Sequence, residues 1–429
     1  MLVFGLMSLL AGTALGAAAQ QTTVDTGDTA WVLVSAALVM LMTPALGFFY
    51  AGMVRRKNVL SVIMHSFIIL AIISVQWVLW GYSLAFGPDK GHLIGGFEWL
   101  GLRTVGGEPY AVYAATIPHQ AYMVFQMMFA VITPALITGA FAERMKFSTF
   151  VVFVLLWATL VYDPMAHWVW ADGGWLRRLG ALDFAGGTVV HVNSGIAALA
   201  AAVVMGKRSG FGKEAMEPHD ITMTVLGASF LWFGWFGFNA GSALAAGGAL
   251  ATSAFVVTNT AAAMAAVAWM AMTWRFVKKP SVLGAASGAV AGLVAITPAS
   301  GFVSPLWAVV IGLGAGVFCY LAVRLRAKLG LDDSLDVWGV HGVGGTWGAI
   351  ATGLFASAAV NPLGSGAVDG NYKQVLWQLI AVGATWIYSF GMTYIILKVL
   401  DKTMGLRVKE EEETRGLDLS QHGEPGYSM

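Results

Sequence analysis

An all-α integral membrane protein is what this sequence predicts, and three observations carry the prediction. Of 429 residues, 58% are hydrophobic and only 11% are charged, where roughly a quarter of an ordinary soluble domain is charged. Eleven apolar stretches recur along the chain, each near the ~20 residues that a bilayer requires. Basic residues gather in every second loop between those stretches. Such a chain has too few polar residues to cover a soluble core, so its solvent is mostly lipid. The 53 glycines then signal close helix packing and not disorder. A net charge of +1 supplies no field to attract nucleic acid, and the single Cys319 excludes an internal disulfide or a multi-cysteine zinc site.

Residues 1–19 read as a signal peptide. An apolar run to Leu15 is followed by small residues, with Ala17 and Ala19 in an A-x-A arrangement before Gln20, although no Lys or Arg precedes the run. A short external N-terminus, 20–30, comes next. The membrane domain occupies 31–400, with spans at about 31–54, 59–81, 119–142, 147–170, 186–206, 221–240, 251–276, 282–301, 304–325, 337–358 and 373–400. Nineteen Lys and Arg residues fall on one side of this map, in the tail 401–429 and in alternate loops such as Arg55-Arg56-Lys57 and Lys207-Arg208; five fall on the other. The positive-inside rule makes the nineteen-residue side cytoplasmic. It leaves the mature N-terminus outside and the C-terminal tail inside.

Two segments resemble each other. Asp183 lies eight residues before His191 at the start of span five, and Asp333 lies eight before His341 at the start of span ten. Glycines flank both histidines on the helical face they occupy: Gly187 and Gly195 around His191, Gly345 and Gly348 after His341. The copies are five spans apart, an odd number, so the second helix runs opposite to the first. That is the signature of an inverted repeat, spans 1–5 against 6–10, with a site at the interface. A weaker echo pairs Gly47–Gly52 with Gly234–Gly241. Span eleven has no counterpart and is expected on the periphery. The stripes Gly284-Gly288-Gly292 and Gly312-Gly316 provide faces for close backbone approach.

A histidine inside a bilayer marks function more often than packing. Two facing neutral imidazoles can share a proton and present donors and acceptors to a lumen. Asp183 and Asp333 sit where a carboxylate caps free N–H groups at a helix start, so support of the site is their expected role, with Asp336 able to replace Asp333. Asp163, within span four, has no partner legible in the sequence. His65, His119 and His167 lie near span ends, where interfacial placement is expected; His92, His219 and His422 are expected in solvent. Trp170 and Phe238, the latter four residues before Ser242, both fall at the external side, and an aromatic face beside a hydroxyl suits a small cation.

Three runs then carry a family resemblance: Ala181-Leu182-Asp183-Phe184-Ala185-Gly186-Gly187-Thr188-Val189-Val190-His191, Gly234-Trp235-Phe236-Gly237-Phe238-Asn239-Ala240-Gly241-Ser242, and Asp336-Val337-Trp338-Gly339-Val340-His341-Gly342. They closely resemble the ammonium transporter (Amt/Mep/Rh) family, nearest to its bacterial Amt members. The resemblance runs from about residue 30 to the C-terminus. It implies eleven helices in inverted five-helix repeats, a homotrimer in the bacterial inner membrane with one pore per subunit, and no enzymatic activity or cofactor. It also implies that ammonium is recruited outside and that ammonia and a proton cross by separate routes. Position by position, Trp170, Ser242 and Phe129 correspond to the external ammonium site. Phe129 and Phe238 correspond to a phenylalanine gate, His191 and His341 to the twin histidines of the pore, and Asp183 to a supporting aspartate. The tail from Gly405 to Glu424 resembles the bacterial type, where a trimeric PII signalling protein docks on the cytoplasmic face.

Three other readings compete: a channel for a neutral solute such as urea or water, an ammonium sensor, and a haem protein ligated by His191 and His341. One geometric demand is specific. Each histidine lies only a few residues into its helix, so at 1.5 Å per residue the two stay far apart across a ~30 Å core. If they touch, both helices must begin below the membrane surface, and Asp183 and Asp333 must cap buried ends.

Overall fold

The computed structural model describes residues 23–427; the signal-peptide reading of 1–19 falls outside them. Among the described residues the regular structure is helical apart from one short hairpin, Asp89–Lys90 against Ile94–Gly95, and two isolated bridges. The first helix, α1 (Thr26–Met53), starts earlier than its apolar run suggests because the Asp25 carboxylate accepts the free N–H of Asp28 at 2.8 Å. Next come α2, which runs from Val59–Gln76 through a π-helical turn at Trp77–Gly81 to Tyr82–Phe86, and α3 (His119–Phe141). Helix α4 likewise runs from Phe147–Trp157 through a π turn at Ala158–Tyr162 to Asp163–Trp170. Helix α5 (Gly187–Met205) closes the first repeat.

The second repeat comprises α6 (Ile221–Ala240), α7 (Ala249–Val277), α8 (Val282–Ile296), α9 (Pro305–Leu329) and α10, a π turn at Trp338–Gly342 leading into Val343–Phe355. Helix α11 is Lys373–Thr403. Nine helices among the described residues are long and apolar enough to cross a bilayer, α8 is shorter at 15 residues, and α10 makes the eleventh. These are the eleven expected spans, with ends shifted by local caps.

The two repeats meet along α1 and α6. A Cβ on Gly227 would lie 2.3 Å from the Phe49 nitrogen, and one on Gly52 would lie 2.4 Å from the Asp220 carbonyl oxygen. Only backbones without side chains cross this closely. The two glycine stripes grip a single partner. Cβ atoms on Gly292 of α8 and Gly312 of α9 would both fall within 2.5 Å of Ala261 O, and those on Gly288 and Gly316 within 2.8 Å of Ala265 O. Helix α7 is thus clasped by α8 and α9 at its own small residues.

The repeat also governs where the histidine helices begin. Phe184 N–H donates to Pro298 O at 3.2 Å, just past the end of α8, and Leu335 N–H donates to Gly139 O at 3.1 Å near the end of α3. Each of the two helix starts, α5 and α10, is therefore pinned inside the bundle by the other repeat. Helix α11 lies along the side of α4, α5 and α10, with Ser389 Oγ donating to Asn193 O at 2.7 Å and Trp386 Nε1 to Thr346 Oγ1 at 3.0 Å. Its opposite side is outward, where Ile387 is 79% exposed.

The basic face carries a buried charge network. Glu143 accepts from Arg55 and from Arg208, whose Nη1 lies 3.3 Å away, and Arg208 Nη2 pairs with Asp332 Oδ1 at 2.8 Å. Burial pushes the Asp332 carboxyl up, but its bonds from Arg208 outweigh that and hold it below the usual carboxylate range. The tail is docked on these loops and not free in solvent. Leu406 O accepts from Lys146 N–H at 2.9 Å, Asn58 Oδ1 accepts from Leu417 N–H at 2.8 Å, and Asp418 Oδ1 accepts from Ser61 N–H at 2.8 Å.

Candidate functional site

The site is built at two buried helix starts. At α5 the chain turns through Gly186, whose φ of +123° is open to glycine but costly for other residues. The Asp183 carboxylate then accepts from the N–H groups of Gly186, Gly187, Thr188 and Val189 and from Thr188 Oγ1, at 2.5–3.2 Å. These are the donors a helix start leaves orphaned, so one side chain replaces the water that membrane depth denies them. At α10 Asp333 Oδ2 accepts from Trp338 N–H at 2.7 Å. Asp333 is the capping residue; Asp336, at φ +60°, pairs with Arg326 at 2.5 Å instead.

Both helices open with π turns, and both histidines lie inside them. The Nδ1 atoms of His191 and His341 are 3.3 Å apart. The demand made by the sequence is therefore met by lowering both starts. Glycines make the approach possible: a Cβ on Gly195 would lie 2.1 Å from Gly342 N, and one on Gly345 would lie 3.0 Å from His191 Cβ. A neutral ring holds one proton, so in the Nδ1–Nδ1 contact one ring donates and the other accepts. The donor then carries a bare Nε2 and the acceptor an Nε2–H. The pair lines a narrow cavity whose other walls are Met42, Leu46, Phe49, Ile132, Leu136, Val190, Leu231, Trp235, Phe238 and Val290. The histidine nitrogens are the only side-chain polar groups there apart from the Trp235 indole, which is turned away to donate to Thr297 Oγ1 at 2.8 Å.

Towards the face opposite the basic one, Phe238 stacks on His191 at 5.8 Å between centroids and packs on Phe129 at 4.4 Å. Phe129 meets Trp170 edge to face at 5.7 Å. Beyond this pair opens a pocket lined by Tyr122, Phe125, Gln126, Phe129, Trp170, Phe184, Ser242 and Leu244. Ser242 Oγ donates its proton to Phe238 O at 2.8 Å, which leaves its lone pairs free to accept. The Trp170 indole donates to Asp183 O at 3.0 Å, so the turn that starts α5 also aims the ring. Towards the basic face, a second cavity leads from His341 past Tyr50, Ser287, Val290 and Asp336. A vestibule lined by Arg208, Glu214, Arg326 and Asp336 completes the path.

All the singled-out residues meet along this one path: Trp170, Ser242, Phe129, Phe238, His191 and His341, with Asp183 and Asp333 behind them. Trp235 was not foreseen, although it stands three residues before Phe238 on one helical face and stacks on His191 at 5.3 Å. Asp163 finds its partner in Gln76, whose Nε2 donates to Oδ2 at 2.8 Å between the π turns of α2 and α4. Three histidines expected at the interface are buried among partners. His65 packs on Phe150 at 4.2 Å, His119 bonds Tyr82 at 2.6 Å, and His167 lies 2.9 Å from both Ala85 O and Asp89 Oδ1. His422, expected in solvent, packs its ring on Phe147 at 5.0 Å.

Comparison with known proteins supplies the family. The model of the Ammonium Transporter Family matches residues 30–427. The chain belongs to the ammonium transporter family. It is similar to the ammonium transporter of Bacillus subtilis (strain 168), at 53% identity over 94% of this chain and 98% of that one. The ammonium transporter Amt1 of Archaeoglobus fulgidus is 52% identical over 94% of this chain and 99% of its own. Among solved structures, Saccharomyces cerevisiae Mep2 superposes with a TM-score of 0.85 at 39% identity, covering 91% of this chain and 89% of that chain. A structure described as a sensor Amt protein gives a TM-score of 0.85 at 31% identity, covering 92% and 98%. Family members of this kind are multi-pass membrane transporters, not enzymes.

Proposed function

We propose that this member of the ammonium transporter family carries ammonium across the bacterial inner membrane by stripping a proton from it. The basic face is cytoplasmic, the Trp170 face is external, and the chain works as a homotrimer with one pore per subunit. The observation that carries the reading is the order of groups along one path: aromatic pocket, paired phenylalanines, touching histidines, cytoplasmic vestibule.

Ammonium enters the external pocket, where the faces of Trp170 and Phe129 and the lone pairs of Ser242 replace part of its water. An unpaired ammonium in hydrocarbon costs tens of kcal/mol by the Born estimate, so the cation goes no further as a cation. Phe129 and Phe238 form the gate. Neutral ammonia passes between them and meets the bare Nε2 or the Nε2–H of the His191–His341 pair, either of which it can pair with as donor or acceptor. The proton that ammonium gives up enters the histidine pair at the bare Nε2 of the donor ring; that ring hands its Nδ1 proton across the contact, and the acceptor ring releases its Nε2 proton towards the cytoplasmic cavity. Asp183 and Asp333 hold the two rings in place through the helix starts they cap. On the cytoplasmic face the docked tail, with the Arg208 loop beside it, offers the surface on which a PII-type protein seats. Direct contact of the two rings argues against the haem reading, since a metal between two imidazole nitrogens holds them about 4 Å apart.

The test is the current that follows an ammonium jump on purified protein in solid-supported membranes. The reading expects a saturable ammonium current, competition by methylammonium and none from potassium. A potassium current equal to that of ammonium refutes it.

A further inference from the structure

The ends of α7 and α9 on the basic face carry charge that the fold does not spend. No Asp or Glu occurs between residues 221 and 331, while Arg275, Lys278, Lys279, Arg324, Arg326 and Lys328 all lie in that stretch. Elsewhere on this face arginine is matched by acid, as in Arg55 with Glu143, Arg208 with Asp332 and Arg407 with Glu413. Arg326 likewise pairs with Asp336, and Lys278 Nζ donates to Arg275 O at 3.2 Å. Arg275, Lys279, Arg324 and Lys328 are exposed, and among the described residues their side chains have neither an ion pair nor a hydrogen-bond acceptor. Two of them share a ring instead. Arg324 Cζ lies 4.7 Å from the centroid of Phe276, and Arg275 Cζ lies 5.7 Å from the same centroid. Like charges thus converge on one side chain, where they repel unless an anion joins them. A guanidinium over a ring still offers its N–H fork, which matches a phosphate.

We propose that this seam between α7 and α9 binds an anionic phospholipid of the cytoplasmic leaflet, with its phosphate among Arg275, Lys279, Arg324 and Lys328. The inference rests on the proposed cytoplasmic placement of the basic face. Height and surroundings both fit a lipid. Arg324 lies about 28 Å along α9 from Pro305 at its other end, at 1.5 Å per residue, close to the ~30 Å of a hydrocarbon core. Trp274, Val277, Leu321 and Leu325 are exposed beside the cations, and acyl chains cover them. A soluble phosphate would meet the cations and leave these apolar side chains bare. A zwitterionic lipid would cover the apolar side chains and leave the charge unmatched. Only an amphiphile with a net negative head satisfies both surfaces.

The experiment titrates the purified full chain in detergent with dioleoyl phosphatidylglycerol, dioleoyl phosphatidylcholine or glycerol phosphate. Native mass spectrometry reads the first lipid bound and the assembly state. The parent is expected to prefer phosphatidylglycerol to phosphatidylcholine by roughly tenfold or more. Arg324→Gln is expected to weaken phosphatidylglycerol about fivefold, and Arg324→Gln with Lys328→Gln roughly thirtyfold, since each cation near an anionic surface contributes about fivefold. Phosphatidylcholine binding should not change, and Lys402→Gln, at the end of α11 on the same face, should match the parent. Arg275→Gln repeats the test from the other helix. Equal affinity for the two lipids, or a preference that the variants keep, overturns the site. Displacement of the bound lipid by an equal concentration of glycerol phosphate overturns it in favour of a soluble anion. Loss of assembly in the variants, with the parent's preference kept by what remains, assigns the cations to contact between copies of the chain. No transport is measured, so failure of the pore reading leaves these outcomes as they stand. Labelling of Lys279→Cys from outside the cell overturns the leaflet and the orientation together.

Discussion

His191 and His341 touch through their Nδ1 atoms, 3.3 Å apart, from helices that belong to opposite repeats and run in opposite directions. Each ring is thereby locked by the other's tautomer. Replacing either with Asp places a negative charge, fixed or readily formed, where the native pair is neutral. Such a charge must be matched by a cation. His191→Asp and His341→Asp are expected to pass potassium that the parent rejects, and the double Ala variant to lose its proton-coupled current. Currents for ammonium and potassium, read alongside trimer stability, check this. Parental selectivity with reduced yield in all three variants would falsify the pore assignment.

Trp170 holds its ring over the pocket through one hydrogen bond to Asp183 O. Trp170→Leu removes the aromatic face and is expected to weaken recruitment by about 0.5–2 kcal/mol, the range for exposed to desolvated cation–π contacts. The rise should be in the half-saturating concentration for both ammonium and methylammonium, measured by current or by radiolabelled uptake.

Gly195 bears the tightest crossing at the site, since its Cβ would lie 2.1 Å from Gly342 N. Gly195→Ala is expected to destabilise the trimer by roughly 1–3 kcal/mol, the usual cost of overpacking, and to separate the histidine rings. Gly383 on α11 has nothing within 4 Å of a Cβ, so Gly383→Ala should leave melting unchanged. Thermal melts of the two in detergent give the comparison; equal loss in both would show that the crossing is not the cause.

The docked tail should respond to pH. Burial lowers the affinity of His422 for a proton below the ordinary value of 6.5, although Asp418 and Glu424 pull the other way. A histidine whose folded pKa is depressed favours the docked state only while neutral. Its contribution is complete above the unfolded value and declines as pH falls below about 6.5. Protease cleavage of the tail is expected to quicken between about pH 7 and 5 in the parent and to lose that dependence in His422→Gln. A cleavage rate flat with pH in the parent refutes the role of His422.

Much of this architecture was readable because membrane spans are written as long apolar runs, and lipid leaves few alternatives to a helix. The two histidines were readable for a different reason: a titratable residue amid glycines at matched repeat positions stands out against an apolar background. Their contact was legible only as a condition: if the rings touch, both helices must begin below the membrane surface with Asp183 and Asp333 capping buried ends. Hydropathy is silent on which apolar residues face the lumen. Trp235 stacks on His191 while Phe233, two residues away, is 54% exposed on the outside; both are large aromatics and differ only in direction. The partner of Asp163 was hidden by distance, since Gln76 lies 87 residues away in sequence. The buried settings of His65 and His422 arise where the tail meets the basic loops, a contact that neither segment announces on its own.

The apolar walls of the cavity that holds the histidine pair bear on the energetics of the whole cell. A membrane holding 100 mV releases about 2.3 kcal/mol for every elementary charge that slips through it. A pore wide and wet enough to conduct ammonium as an ion would pass potassium, which is similar in charge, and would run that battery down with each opening. Walls such as Leu46, Ile132, Leu231 and Val290 offer an ion nothing in exchange for its water. On the proposed mechanism, the same lining that makes ammonia easy to carry bars potassium, so the voltage is drawn on only by the proton that each ammonium gives up.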